Sequence, residues 1–426
     1  MERYSSYKDS GISWIGDIPE HWEVKQLRSF LTLFSDKGHG DAQLLSVTRE
    51  QGVIERDKED KEENHNFVPD DLSGYKYIEK GDFAINKMKA WQGSYAVSEY
   101  NGIVSPAYFT CKLKGVNKDF FSKAIRSKVY VPFFTQYSKG IRVGQWDLNP
   151  NALKSIPFFL PTPDEQSVIV KYIDDKTSKI DAYVAEKKKE IEFLQELKQK
   201  IIVDAVTKGL NPDAKMKDSG ISWIGEIPEH WVQYRFATLF KEKSICNHVN
   251  EELLSVYLDR GVIRFSEDNN KRTNPTSKDL SKYQLVDIGD FVLNNQQAWR
   301  GSVGVSRYRG IISPAYFIFE MSSKLNPLYA NYLLRSTSCV AYYYICSKGI
   351  GSIQRNLDWS SLKQKKLAIP SLDEQQDIVT YIEEKCEKID KLASELQSEI
   401  DYLKEYKQRL IADCVTGQIN VQNEMI

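Results

Sequence analysis

A chain of 426 residues with 58 Lys and Arg against 59 Asp and Glu carries a net charge of −1, so bulk positive charge cannot hold it on nucleic acid and any such contact must be local or shared with partners. The length exceeds what one core fills. No apolar run reaches the roughly 18 residues a membrane-spanning helix needs, and MERYSSYKDS lacks the basic-then-apolar order of a secretory leader, so the expectation is a non-membrane protein of the cytoplasm. Cys111, Cys246, Cys339, Cys346, Cys386 and Cys414 form no CxxC pair and are not duplicated, which points to buried free thiols rather than metal ligands or disulfides.

The first element in chain order is also the most informative. Fourteen of the fifteen residues from Lys8 to Trp22 (KDSGISWIGDIPEHW) recur from Lys217 to Trp231. The register between the copies barely drifts, since Asp9 and Asp218, Ser46 and Ser255, Lys139 and Lys348, Pro161 and Pro370, and Thr207 and Thr416 are each 209 apart. The chain is therefore one unit repeated, a fixed frame with divergent inserts, as suits a molecule presenting two related surfaces of different specificity. The two openings are more nearly identical than keeping a fold demands.

Strand-like runs follow the opening in each copy: Gln43 to Val47 against Glu252 to Val256, then Gly81-Asp82-Phe83 against Gly289-Asp290-Phe291, and Ser105-Pro106-Ala107-Tyr108 against Ser313-Pro314-Ala315-Tyr316. Short β-rich stretches punctuated by Gly and Pro predict a compact mixed α/β (α+β) domain. Asp57 to Glu63 (DKEDKEE) reads as a solvated loop.

Two segments per copy have the composition of a DNA-reading surface. In KMKAWQGS the candidates are Lys87, Lys89, Gln92 and Ser94; in NNQQAWRGS they are Gln296, Gln297, Arg300 and Ser302. Arg and Lys suit guanine, Gln and Asn suit adenine, and Ser suits phosphate. The second segment lies before each long helix: SKGIRVGQW supplies Lys139, Arg142 and Gln145, and SKGIGSIQR supplies Lys348, Gln354 and Arg355. Trp91 and Trp299 are duplicated while their neighbours vary, so they read first as packing residues, as do Trp14, Trp22, Trp223 and Trp231.

Thr162-Pro163-Asp164-Glu165 and Ser371-Leu372-Asp373-Glu374 fit capping boxes, a hydroxyl at the N-cap and a Glu three residues on, so a long helix is predicted from each. Heptad positions Ile173, Ile180, Lys187, Leu194 and Ile201, and Ile382, Ile389, Leu396, Leu403 and Leu410, form a coiled-coil seam that Lys198 and Lys407 interrupt. Gly209 and Gly417 end the helices. The first helix would be roughly 66 Å long and the linker after it short, so the second helix is predicted to pair with it antiparallel. The expected organisation is a first domain over 1–162, a spacer helix over 163–208, a linker over 209–217, a second domain over 218–371, a C-terminal spacer helix over 372–417 and a tail over 418–426, related by a pseudo-twofold axis.

Catalytic signatures are missing from the sequence. It has no GxxxxGK[ST] loop, Gly349-Ile350-Gly351-Ser352 is too short for a dinucleotide fingerprint, the five histidines have no metal spacing, and no Asn-Pro-Pro-aromatic motif of amino-methyltransferases occurs. The duplicated SWIGxIPxHW opening, the variable domain and the P-x-x-(D/E)-E-Q entry to a long helix (Pro161 to Gln166, Pro370 to Gln375 in tighter form) together resemble the specificity subunits of type I restriction-modification systems. The resemblance covers essentially the whole chain. It implies two target-recognition domains, each reading one half of a bipartite DNA site, with antiparallel helices that set the gap and dock two modification (methyltransferase) subunits; restriction (motor-nuclease) subunits would join these. S-adenosylmethionine, ATP and Mg would then sit on the partners, with no cofactor in this chain. The rival readings are a coiled-coil scaffold with two protein- or glycan-binding domains, and an enzyme whose nearest paired acid is Asp82 with Asp290.

Overall fold

The computed structural model describes residues 2–57, 68–140, 146–221, 223–267, 279–350 and 354–422, the side chains of Ile350 and Gln354 excepted. The chain divides into two compact units, one joining residues 1–187 to 398–426 and the other spanning 188–397.

In unit 1 a four-stranded antiparallel sheet is built from β1 (Leu31–Phe34), β2 (Phe83–Asn86), β3 (Tyr95–Val97) and β4 (Tyr108–Leu113), in the order β1-β4-β2-β3. Phe83, Ala84 and Ile85 form a continuous apolar run because both faces of β2 are buried there. Phe83 and Ile85 point into the main core with the helices, and Ala84 points into a second cluster with Leu45, Val47, Val53 and Ile78. α1 (Lys118–Arg126) and α2 (Val131–Tyr137) cover the main-core side through Phe120, Phe121, Phe133 and Phe134, and α3 (Pro163–Lys208) begins there.

Unit 2 repeats this plan with β5 (Phe240–Lys243), β6 (Phe291–Asn294), β7 (Val303–Val305) and β8 (Tyr316–Met321), ordered β5-β8-β6-β7. Phe291 and Leu293 enter its main core while Val292 enters the second cluster. α4 (Pro327–Arg335), α5 (Thr337–Ile345) and the start of α6 (Leu372–Val415) pack on it.

Each unit holds one half of each long helix. In unit 1 Ile169, Tyr172 and Ile173 of α3 share a core with Leu410, Cys414 and Val415 of α6; in unit 2 Ala205 and Val206 share one with Ile378, Val379 and Ile382. The start of one helix thus meets the end of the other, so within each unit the pairing is antiparallel. The helix ends are core elements of the units and do not stand apart from them. Of the seam residues Ile173, Ile382, Ile389, Leu396 and Leu410 are buried, and Ile180, Leu194, Ile201 and Leu403 are half-buried.

The lysines that interrupt the seam are not defects. Lys198 reaches both carboxylate oxygens of Asp390 at 2.7 Å in unit 2, and Lys407 reaches Asp181 at 2.6–2.7 Å in unit 1. Both members are displaced by 209 positions, so this is one contact made twice. A polar pair in an apolar seam specifies register more than it adds stability. With Lys198 23% and Asp390 53% exposed, Lys198→Ala is expected to cost no more than about 1 kcal/mol in urea unfolding. A loss above about 3 kcal/mol would show instead that the pair behaves as a fully buried one.

The capping boxes form only in part. Thr162 Oγ1 and Ser371 Oγ accept from the Glu165 and Glu374 amides at 3.4 and 3.3 Å, but the two carboxylates turn to the duplicated opening. Glu165 accepts from the Tyr4 hydroxyl and lies 3.0 Å from His21 Nε2; Glu374 accepts from Trp231 Nε1 at 3.0 Å and lies 2.9 Å from His230 Nε2. The adjacent glutamines close the joint, because Gln166 Oε1 accepts from the Asn117 amide at 2.9 Å and Gln375 Oε1 from that of Asn326 at 2.7 Å. Asn117 and Asn326 are the N-caps of α1 and α4. The Glu-Gln pair therefore ties the long helix, the domain helix and the signature together.

Of the cysteines, Cys111, Cys339, Cys346, Cys386 and Cys414 are buried free thiols, whereas Cys246 is exposed, contrary to the expectation for it. Burial pushes the Cys111 and Cys339 thiols up to about 12, which leaves them inert. No helix among the described residues is long and apolar enough to cross a membrane.

Candidate nucleic-acid interface

Strands β2 and β6 both run into the same tight turn. Asn86 Oδ1 accepts from the Met88 amide at 3.2 Å and Asn294 Oδ1 from that of Gln296 at 3.0 Å, while Asn86 and Asn294 pass their own amides to Ser94 and Ser302 carbonyls at 2.9 and 3.0 Å. Gly93 and Gly301 close the turns at φ +98° and +100°, a left-handed conformation in which glycine is unstrained. The duplicated tryptophans fasten them: Trp91 Nε1 donates to the Met88 carbonyl at 3.2 Å and Trp299 Nε1 to that of Gln296 at 3.1 Å. Their packing role is therefore to rigidify a loop whose other side chains differ.

The second segment meets the turn in each unit. In unit 1 Ser138–Lys139 pairs with Asp147–Leu148; the Leu148 amide donates to the Lys87 carbonyl at 3.0 Å, Lys87 Nζ pairs with Asp147 at 3.2 Å, and the Trp91 and Trp146 rings lie 5.0 Å apart. In unit 2 Ser347–Ile350 pairs with Gln354–Leu357, and the Leu357 amide donates to Asn295 Oδ1 at 2.9 Å. There an aromatic and cationic row forms: Arg300 lies 5.6 Å over Trp299, Trp299 is 6.3 Å from Tyr344, and Arg355 is 4.4 Å over Tyr344.

Lys89, Lys139, Gln296, Arg300 and Lys348 are exposed on these elements, and Lys87, Gln92, Gln297 and Arg355 are half-buried. Part of their polar capacity is already used: Asp147 neutralises Lys87, and Arg355 donates to the Ser347 carbonyl at 2.7 Å. Ser94 and Ser302 require correction as phosphate contacts. Both are 3% exposed, because each follows the left-handed glycine directly into a buried strand, and Ser302 Oγ donates inward to the Val256 carbonyl at 3.1 Å. Arg142, Gln145 and the Gln354 side chain lie outside the described residues. Met88, Trp146 and Tyr344 belong to the same surface although composition did not single them out. The signal available in the sequence was position: Met88 aligns with Gln296 and Trp146 with Arg355, so each is a divergent residue on the repeated frame.

The paired acids have structural duties. Asp82 accepts from the Glu79 amide and Lys112 Nζ, both at 2.9 Å; Asp290 likewise accepts from the Asp287 amide at 2.7 Å and from Lys243. Burial raises the Asp290 carboxyl, and the Lys243 ammonium opposes that rise. Each acid pins a turn, and neither geometry offers a nucleophile or a poised proton donor.

No family model matches the chain. It is 23% identical over 434 aligned positions to the putative type I restriction enzyme MjaX specificity subunit of Methanocaldococcus jannaschii, covering 96% of both chains. It is 25% identical over 434 positions to the type I restriction enzyme MjaVIII specificity subunit of the same organism, covering 95% of both. Among solved structures, a chain from work on complex assembly and conformational transition of a type I restriction-modification system superposes with a TM-score of 0.63 at 12% identity, over 94% of this chain and 99% of that one. The last likeness speaks to fold.

Proposed function

We propose that this chain, which belongs with the specificity subunits of type I restriction-modification systems, reads a bipartite, asymmetric DNA target, one half with each unit, and is itself non-catalytic. The observation that carries this reading is the repeated interface. In both units an indole-fastened turn and the hairpin ahead of the long helix meet, and on that common frame Lys87, Met88, Lys89, Gln92 and Trp146 stand where the other unit has Asn295, Gln296, Gln297, Arg300 and Arg355. Different side chains on one scaffold read different base pairs. The antiparallel helices set the gap between the halves and dock two modification subunits, to which restriction subunits add. S-adenosylmethionine, ATP and Mg belong to those partners, and the assembly works in the cytoplasm. With a net charge of −1, much of the positive field on DNA comes from the partners. A scaffold binding proteins or glycans would not need a divergent row of Lys, Gln and Arg on a fixed turn.

The test is the selected-site profile of the complex with its modification partner. Arg300→Ala is expected to relax one position of one half-site, at about 1 to 3 kcal/mol for a good bidentate contact, and Gln92→Ala one position of the other. Equal weakening on every sequence would assign these residues to phosphate and remove the reading from this turn.

A further inference from the structure

The turn apex residues differ in chemistry between the two units, Met88 in one and Gln296 in the other. Met88 is 54% exposed and Gln296 is exposed, and both sit at the residue whose carbonyl the indole grips and whose amide the Asn side chain caps, at 3.2 and 3.2 Å in unit 1 and 3.1 and 3.0 Å in unit 2. The flanking backbone matches closely too: Lys89 has φ −122° and ψ 11°, Gln297 φ −125° and ψ 2°. Two side chains are thus presented from the same point of the same rigid turn, one apolar and one with an amide. A thioether has no donor and is only a weak acceptor, so its best major-groove contact is the apolar 5-methyl of thymine, whereas a glutamine amide can bond adenine N6 and N7 together.

Building on the reading above, we infer that Met88 and Gln296 are equivalent specificity-determining positions. Met88 selects a thymine methyl in the half-site of unit 1, and Gln296 selects an adenine at the matching position in the half-site of unit 2. Rigidity is what makes the apex suitable, because a backbone fixed by two hydrogen bonds leaves only the side chain's own rotamers to be ordered on docking. Lys89 beside Met88 is exposed and can reach phosphate or guanine, so the charge at the turn is separable from the selectivity at its apex.

The decisive experiment uses the full complex with its modification partner and a randomised target library. Met88→Gln is expected to shift one base pair of one half-site from thymine to adenine by roughly ten- to a hundredfold, with the other half-site unchanged. Gln296→Met is expected to do the reverse in the other half. Met88→Leu, which keeps the apolar contact and controls for folding, should retain the parental preference. If the parental complex selects a bipartite sequence but both exchanges leave the profile as it was, the apex assignment is overturned while the reading of the chain as a DNA-specificity subunit stands. A parental complex with no sequence preference would overturn both.

Discussion

Removing one heptad from each long helix is expected to abolish modification of the parental target and to create activity, at lower affinity, on targets whose gap is about three base pairs shorter. Seven helical residues span about 10 Å, close to three steps at roughly 3.4 Å. The deletions belong between Asp181 and Lys198 in α3 and between Asp390 and Lys407 in α6, so that both cross-helix ion pairs survive. Distance and rotation do not move together, however. A heptad turns a helix by only about 20° from its starting azimuth, whereas three base pairs turn the duplex by roughly 100°. The shortened complex must therefore twist itself or the DNA, which is why its affinity should fall even on the best new gap. The measurement is the gap distribution in sequenced methylated sites. A gap that stays at its parental length, with both half-sites intact, would show that the helices are not the ruler.

The largest effect on stability is expected from Trp22→Ala, about 3 to 5 kcal/mol. Trp22 is fully buried beside Ile18 and, from the far end of the chain, Leu410, Cys414 and Val415. The close fit of Pro19 and Trp22 to Gly417 shows how tightly the end of α6 seats: a Cβ at that glycine would lie 2.3 Å from Pro19 and 3.3 Å from the indole. Trp14, in the same signature, is 43% exposed and makes an aromatic contact with Phe133 at 4.8 Å and a hydrogen bond to the Val129 carbonyl at 3.3 Å. Its replacement by Ala should cost about 0.5 to 1.5 kcal/mol for the lost aromatic pairing, plus a partial burial term. Urea unfolding of the two variants separates these values, and equal losses would contradict the placement of Trp22 in the core.

The repeat, the hydroxyl caps at Thr162 and Ser371 and the apolar heptads were all legible in the sequence, because each is a local or periodic pattern. What could not be read locally was the destination of a polar side chain. Glu165 looked like the second half of a capping box and instead meets His21, 144 residues away. Lys198 and Lys407 looked like flaws in a seam because their partners, Asp390 and Asp181, lie on the other helix. Yet the repeat held a usable signal for both. His21 with Glu165 recurs as His230 with Glu374, and Asp181 with Lys407 as Asp390 with Lys198, each member shifted by 209. Complementary charges that are duplicated together are candidates for contact, while Ser94 and Ser302 show that duplication alone can equally mean burial.

At the candidate turn, composition weighted the residues by charge. Hydrogen-bonding capacity says which side chain can read a base; backbone geometry says which one is presented. That geometry placed Met88 outward and Ser94 inward.

On the proposed function, two differently equipped units read two different short sequences at a fixed separation. Sequencing the methylated sites of a genome in which this chain is expressed with its modification partner tests it most directly. Two unlike blocks, separated by an unspecified gap of constant length, are the predicted result. A single continuous block, two identical blocks in inverted repeat, or a gap that varies freely would contradict it.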